Sequence, residues 1–262
     1  MTRIASSTVG SGPQRVVFIH GLLGRGKNFN AIARALGDRC TSLLIDLPNH
    51  GESEWTERFD YTEQVDIVAD FLRADFASAG PVAVVGHSMG GKVSMLLALR
   101  YPELVERLVV VDMAPKDTGE ASDAIKGIIT AMRDLDLKSL KSRVEADEIL
   151  QASIESPAVR AFALQNLRRV DLGFGWQPNL EVLYHSLAII RDWPDMSSYT
   201  YDGKVLWIAG GRSAYTSEED AQAMRRLFPN ERRFVIKDAG HWVHSEEPAI
   251  FTQGLRRFLE RV

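Results

Sequence analysis

Short, unbroken apolar blocks alternate with amphipathic stretches through the first 113 residues of the chain. Val16-Val17-Phe18-Ile19, Ser42-Leu43-Leu44-Ile45, Val82-Ala83-Val84-Val85 and Leu108-Val109-Val110-Val111 carry no charge and are rich in β-branched residues. Runs of this kind fit strands buried on both faces of a parallel sheet. Between them, residues 29–36 read as a short helix. Residues 61–77 read as a longer one, with Val65, Val68, Phe71 and Leu72 on its inward face. The pattern changes after Pro115. Residues 117–199 show no strand-like run, only helical spacing over 124–135, 140–154, 159–170 and 180–190, with Gly173-Phe174-Gly175-Trp176-Gln177-Pro178 as a loop. Strands return at 205–209 and 233–236, and a last helix covers 248–259. The expectation is an α/β fold with a mostly parallel central sheet flanked by helices. Residues 1–115 and 200–262 form its core, and 116–199 form an inserted helical cap over the carboxyl ends of the strands. Open α/β sheets bind ligands at those ends.

Composition narrows the class without naming a function. The chain has 262 residues, 45% hydrophobic and 25% charged, with a net charge of -4. No basic block exceeds a pair; Arg168-Arg169, Arg225-Arg226 and Arg232-Arg233 read as solvated faces, so nucleic acid is not an expected partner. The single cysteine, Cys40, cannot form an internal disulfide and sits beside an apolar strand as a packed thiol. The segment after Met1-Thr2-Arg3 lacks the apolar core of a signal peptide. No stretch approaches the ~18 apolar residues that span a bilayer. A cytoplasmic protein without membrane attachment is expected.

Candidate chemistry centres on Gly86-His87-Ser88-Met89-Gly90-Gly91, which falls between an apolar block and a helical one, Lys92 to Arg100. Glycines allow a tight strand-to-helix turn where backbone meets backbone, and the serine between them is pushed out at the carboxyl edge of the sheet. This is the G-x-S-x-G nucleophile elbow. A serine hydroxyl needs a base to take its proton and a third group to orient that base. His241, in Asp238-Ala239-Gly240-His241-Trp242 ahead of the last helix, is the first candidate base, and His244 the second. The two form only an H-x-x-H pair, too little for a metal site. His20 and His87 flank turn glycines and read as supporting hydrogen-bonding groups. His50 and His185 are pocket-lining or surface residues.

The acid is less direct. After the strand 205–209 the chain continues Gly210-Gly211-Arg212-Ser213-Ala214, with no carboxylate where one is expected. Glu218, Glu219 and Asp220 follow as the opening turn of a helix. Asp112, at the end of the strand 108–111, is the leading candidate, with Asp238 the alternative. An oxyanion hole would take one backbone N–H from Met89 and another from the loop His20-Gly21-Leu22-Leu23-Gly24, where Leu22 is the expected donor. Among apolar residues of the cap segment, including Phe162, Leu167, Leu183, Leu187 and Trp193, the substrate-binding candidates are Phe174, Trp176, Tyr184 and His185.

The chain resembles the α/β-hydrolase superfamily over nearly its whole length, and more narrowly the YbfF-type esterases and their abhydrolase-domain relatives. HGLLG at 20–24, DLPNHGES at 46–53, GHSMGGKV at 86–93, Val111-Asp112-Met113-Ala114-Pro115 and Ala239-Gly240-His241-Trp242-Val243-His244 carry the likeness. Gly-Gly-x-Ser in place of a post-cap carboxylate is its most discriminating feature. The resemblance implies Ser88 as nucleophile, His241 as base and Asp112 as acid. It implies small-molecule acyl esters or thioesters with small to medium acyl groups as substrates, and no metal or organic cofactor. Pro48 departs from the arginine that relatives often carry there. Carbon–carbon bond hydrolases and cofactor-free perhydrolases use the same residue types, and a slow-turnover ligand receptor would also keep them. A serine at the elbow argues against the dehalogenase and epoxide-hydrolase branches, which place an aspartate there.

Overall fold

The computed structural model of the protein describes residues 2–119, 123–171 and 173–260. In chain order the first half contains β1 (Ser6–Val9), β2 (Gln14–Ile19), α1 (Asn30–Leu36), β3 (Cys40–Ile45), α2 (Tyr61–Ala74), β4 (Val82–His87), α3 (Met89–Arg100) and β5 (Val105–Val111). An excursion follows: α4 (Asp123–Asp134), α5 (Arg143–Leu150), α6 (Pro157–Leu164), β6 (Leu167–Val170), β7 (Gly173–Trp176), α7 (Leu180–His185) and α8 (Leu187–Arg191). The chain then returns through β8 (Lys204–Gly210), α9 (Ala221–Leu227), β9 (Glu231–Ile236), α10 (Val243–Glu246) and α11 (Pro248–Glu260).

The apolar blocks pair into one seven-stranded sheet of order β1-β3-β2-β4-β5-β8-β9, parallel except for β1. Alternate side chains of each block serve opposite faces, as the pleat requires. Val84, Leu108 and Val110 pack with Val65, Val68, Val93 and Leu97 of α2 and α3 on one face. Val85, Val109 and Val111 pack with Ile32, Phe251 and Leu255 of α1 and α11 on the other. Both faces are therefore covered, and the central strands need no polar positions.

Three segments differ from the sequence reading. β1 went unread because Ser6–Val9 is largely exposed and owes its shape to antiparallel pairing with β3. The helix expected over 159–170 stops at Leu164, and 167–170 pair with 173–176 as a hairpin in which Arg169 faces Phe174 across the strands. Gly173, at φ 135, takes a backbone conformation open to glycine. The helix expected over 180–190 breaks at Ser186, whose side chain makes no capping bond to α8.

The excursion is tied to the loops that follow β2 and β3. Asn166 Nδ2 donates to the Leu23 carbonyl at 2.8 Å, Asn28 Nδ2 to Gln165 Oε1 at 2.8 Å, and Trp55 Nε1 to the Gln177 carbonyl at 2.9 Å. The Asn179 backbone N–H donates to the Asn49 carbonyl at 3.0 Å. These bonds join the excursion to the loops at the carboxyl ends of β2 and β3.

Candidate active site

Ser88 stands between β4 and α3 with φ 54 and ψ −121. A non-glycine residue in such a region carries strain of about 1–3 kcal/mol, which the surroundings must hold in place. Two bonds do so: the Ser88 N–H donates to the Val111 carbonyl, and its own carbonyl accepts from the Lys92 N–H, each at 3.1 Å. The turn also demands missing side chains. A Cβ on Gly86 would lie 2.2 Å from the Gly90 carbonyl oxygen, and one on Gly90 would lie 2.4 Å from that of His20. The Ser88 hydroxyl makes no helix cap.

That hydroxyl lies 3.0 Å from His241 Nε2, and His241 Nδ1 lies 2.7 Å from Asp112 Oδ2. A carboxylate only accepts, so Nδ1 carries the proton and Nε2 offers its lone pair to the serine. Asp112 follows β5 with φ 49 and is fully buried. A buried carboxylate is costly unless its oxygens are satisfied. Oδ1 accepts from the Gly210 N–H at 2.9 Å, and Oδ2 accepts from Ser213 Oγ at 2.5 Å as well as from the imidazole. Ser213 thus fills the space where the sequence lacks a carboxylate, with its hydroxyl on the acid. Sequence reasoning noted the position but not this contact; the Gly-Gly-x-Ser pattern was the available signal. Asp238 is exposed on the histidine loop, and its carbonyl accepts from Arg212.

Two rings pack against the imidazole. Tyr215 stacks on His241 at 4.0 Å between centroids, and the His87 ring lies at 4.8 Å. His87 Nε2 donates to the His241 carbonyl at 2.9 Å, pinning the loop. Burial, then the neighbouring His241 and His244, push His87 well below the usual histidine range, so it is neutral. Tyr215 carried no sequence signal, because nothing in Ser213-Ala214-Tyr215 announces a stacking partner.

His20 shapes the loop after β2. Its Nδ1 donates to the Gly21 carbonyl at 2.8 Å and its Nε2 accepts from the Leu47 N–H at 2.9 Å. Burial holds it at about 4. Leu23, at φ 59, and the Gly24 N–H on the Gly21 carbonyl at 2.9 Å complete the turn that presents Leu22. Met89 opens α3, so its N–H has no acceptor within the helix. Leu22 and Met89 both line the cavity at Ser88.

The cavity, about 520 Å³, reaches from Ser88 and His241 into the excursion, a size ordinary for a small-molecule site. Its walls are mostly apolar: Met113, Ile125, Ile128, Phe162, Leu187, Ile190 and Trp242. The four pocket residues expected from sequence are elsewhere. Phe174 packs into a separate cluster with Leu140, Leu150, Leu164 and Leu167. Trp176 donates its Nε1 to the Met132 carbonyl at 2.9 Å. Tyr184 lies under the Arg133 guanidinium at 4.2 Å, and His185 is exposed beside Glu181. Amphipathic spacing marks an inward face but not what it faces, and these side chains turn to the excursion's own core or to solvent. His50, expected near the cavity mouth, is buried against His20 at 5.1 Å and held at about 3 by burial and by His20. His244 borders the cavity, stacks on Phe29 at 4.7 Å and is held at about 3 by burial. Cys40 is a buried free thiol that burial pushes up, away from the cavity.

The chain belongs to the α/β-hydrolase fold family, whose model matches residues 14–248. It is 36% identical over 252 residues to the sn-1-specific diacylglycerol lipase ABHD11 of Mus musculus, covering 93% of this chain and 80% of that protein. It is 31% identical to Esterase YbfF of Escherichia coli strain K12, covering 93% and 92% of the two chains. Among solved structures, a marine microorganism esterase superposes with a TM-score of 0.93 at 28% identity, over 98% of this chain and 100% of that one.

Proposed function

We propose that the protein is a carboxylic-ester hydrolase working through an acyl-enzyme on Ser88, with thioesters as a second substrate type. The observation that carries this reading is the continuous bonded line from Ser88 Oγ through His241 to buried Asp112, opening onto an apolar cavity. The esterase and lipase names of the relatives support it.

In this reading Ser88 Oγ attacks the acyl carbonyl while His241 Nε2 takes its proton. Asp112 fixes the imidazole's tautomer and stabilises the imidazolium. The Leu22 and Met89 N–H groups receive the oxyanion; losing one such donor typically costs about 3 kcal/mol of transition-state stabilisation. His241 then protonates the departing alcohol or thiol. Water, deprotonated by the same nitrogen, attacks the acyl-enzyme and releases the acid and Ser88. No residue in this sequence of steps requires a metal or organic cofactor. Residues 116–199 act as a cap over the 1–115 and 200–262 core. Ile125, Ile128, Leu187 and Ile190 would receive a small to medium acyl chain. No helix among the described residues is long and apolar enough to cross a membrane, and a soluble ester substrate in the cytoplasm fits the reading.

Steady-state hydrolysis of p-nitrophenyl esters from acetyl to dodecanoyl tests this directly, with Ser88→Ala alongside. Turnover abolished by the substitution is expected. Absence of turnover on every ester, or full activity in Ser88→Ala, would overturn the reading.

A further inference from the structure

Lys92 lies on α3, one turn beyond Ser88, and is only 1% exposed. Buried ammonium groups are costly unless paired, yet no carboxylate oxygen lies within ion-pair distance of this one among the described residues. Its Nζ donates instead to three successive main-chain carbonyls: Ile190 at 3.4 Å, Arg191 at 2.5 Å and Asp192 at 2.9 Å. They stand at the C-terminal end of α8, where carbonyls lack helical partners and the helix dipole is negative. Two further residues converge there. The Tyr61 hydroxyl donates to the Ile190 carbonyl at 2.7 Å, and the Thr118 N–H donates to the Arg191 carbonyl at 2.9 Å. The Thr118 hydroxyl also donates to the Arg191 carbonyl, at 3.3 Å.

α8 has five residues and cannot hold its own position by helical bonding alone. It nevertheless supplies Leu187 and Ile190 to the cavity wall. The Lys92 backbone N–H is bonded to the Ser88 carbonyl, so one residue links the strand-to-helix turn to that wall. Burial lowers the ammonium to about 8, with Asp117 and Asp192 opposing the fall, and the group remains charged at neutral pH.

We infer that Lys92 is a positioning residue that sets how long an acyl chain the site accepts, by fixing the α8 wall relative to Ser88. The inference rests on the ester-hydrolase reading above. Leu187 and Ile190 line the cavity onto which Ser88 opens; in this inference an acetyl group ends before them and a long acyl chain lies against them. Each buried methylene is worth about fourfold in binding, so a loosened wall penalises long chains progressively and spares short ones.

The test measures kcat and KM for p-nitrophenyl acetate through dodecanoate on wild type, Lys92→Met, Lys92→Arg and Tyr61→Phe. For Lys92→Met, kcat/KM on acetate stays within about threefold, and on decanoate it falls about tenfold or more, through KM. Lys92→Arg, which keeps the donors, recovers part of the long-chain KM. Tyr61→Phe removes one donor to the Ile190 carbonyl and gives the same tilt on a smaller scale. It carries the test where Lys92→Met does not fold. A uniform loss at all chain lengths, or an unchanged profile in the folded variants, overturns the inference while wild-type turnover leaves the hydrolase reading standing. Wild type inert to every ester overturns both.

Discussion

Replacing Asp112 with asparagine isolates the role of the buried acid with little change in shape. Asp112 receives three donors: the Gly210 N–H on Oδ1, and the Ser213 hydroxyl and His241 Nδ1 on Oδ2. An asparagine carbonyl would keep the Gly210 bond, which leaves the amide NH₂ where Oδ2 was. The Ser213 hydroxyl can rotate to accept from it. His241 Nδ1 can accept only by giving up its proton, which moves the hydrogen to Nε2, facing Ser88. The imidazole can then no longer take the serine proton. Loss of this tautomer costs about 10⁴-fold in kcat in serine hydrolases of this type, or ~5.5 kcal/mol. The assay is p-nitrophenyl butyrate turnover, with thermal unfolding to show that Asp112→Asn is folded. A folded Asp112→Asn that retains more than about a tenth of wild-type kcat would refute the reasoning. Asp238→Asn, on an exposed carboxylate away from Nδ1, is expected to stay within about twofold of wild type.

Other outcomes follow from the same geometry. Gly90→Ala would drive a methyl to 2.4 Å from the His20 carbonyl; lost activity and a lowered melting temperature are expected, and a variant as stable and active as wild type would contradict the packing. Ile128→Trp fills the acyl arm of the cavity, so the ester series should show its optimum shifted to shorter chains; an unshifted optimum would place the acyl group elsewhere. His20, His50 and His244 are depressed to about 4, 3 and 3 from an ordinary value of 6.5. The unfolded chain therefore binds protons first as pH falls, and stability present above pH 6.5 drains away down to about pH 3. His244→Phe removes one such group and should reduce the loss between pH 6.5 and 4.5, read by urea unfolding, by about 2 kcal/mol. An equal loss in the variant would argue against burial as the cause.

Legibility in the sequence tracked how local each feature is. The β-branched blocks of β2, β4 and β5 and the glycines around Ser88 declare themselves within a few residues, because strand burial and a tight turn impose local demands. The expected parallel sheet follows from them, while the likeness to the α/β-hydrolase family rests on the motifs at 20–24, 46–53, 86–93, 111–115 and 239–244. Ser88, His241 and Asp112, singled out from separate loops, are brought within hydrogen-bond reach of one another. The acid needed more than local reading: Asp112 stands out only against the empty position after β8, which Ser213 occupies. Cavity residues were the least readable. Ile125 and Ile128 share α4 with Ile129 and Met132, which are fully buried in the core, and spacing alone does not separate the two stripes. The hairpin of β6 and β7 was hidden because each strand has only four residues and Arg168, Arg169 and Val170 are all exposed, so no buried alternation marks it.

The central claim, a serine made nucleophilic by its partners, is tested most directly by intact-mass analysis after brief treatment with a fluorophosphonate. One adduct on the peptide containing Ser88 is predicted, absent from Ser88→Ala and formed at least about a hundredfold more slowly in His241→Ala. An adduct on another residue, or none while ester turnover persists, would contradict the account.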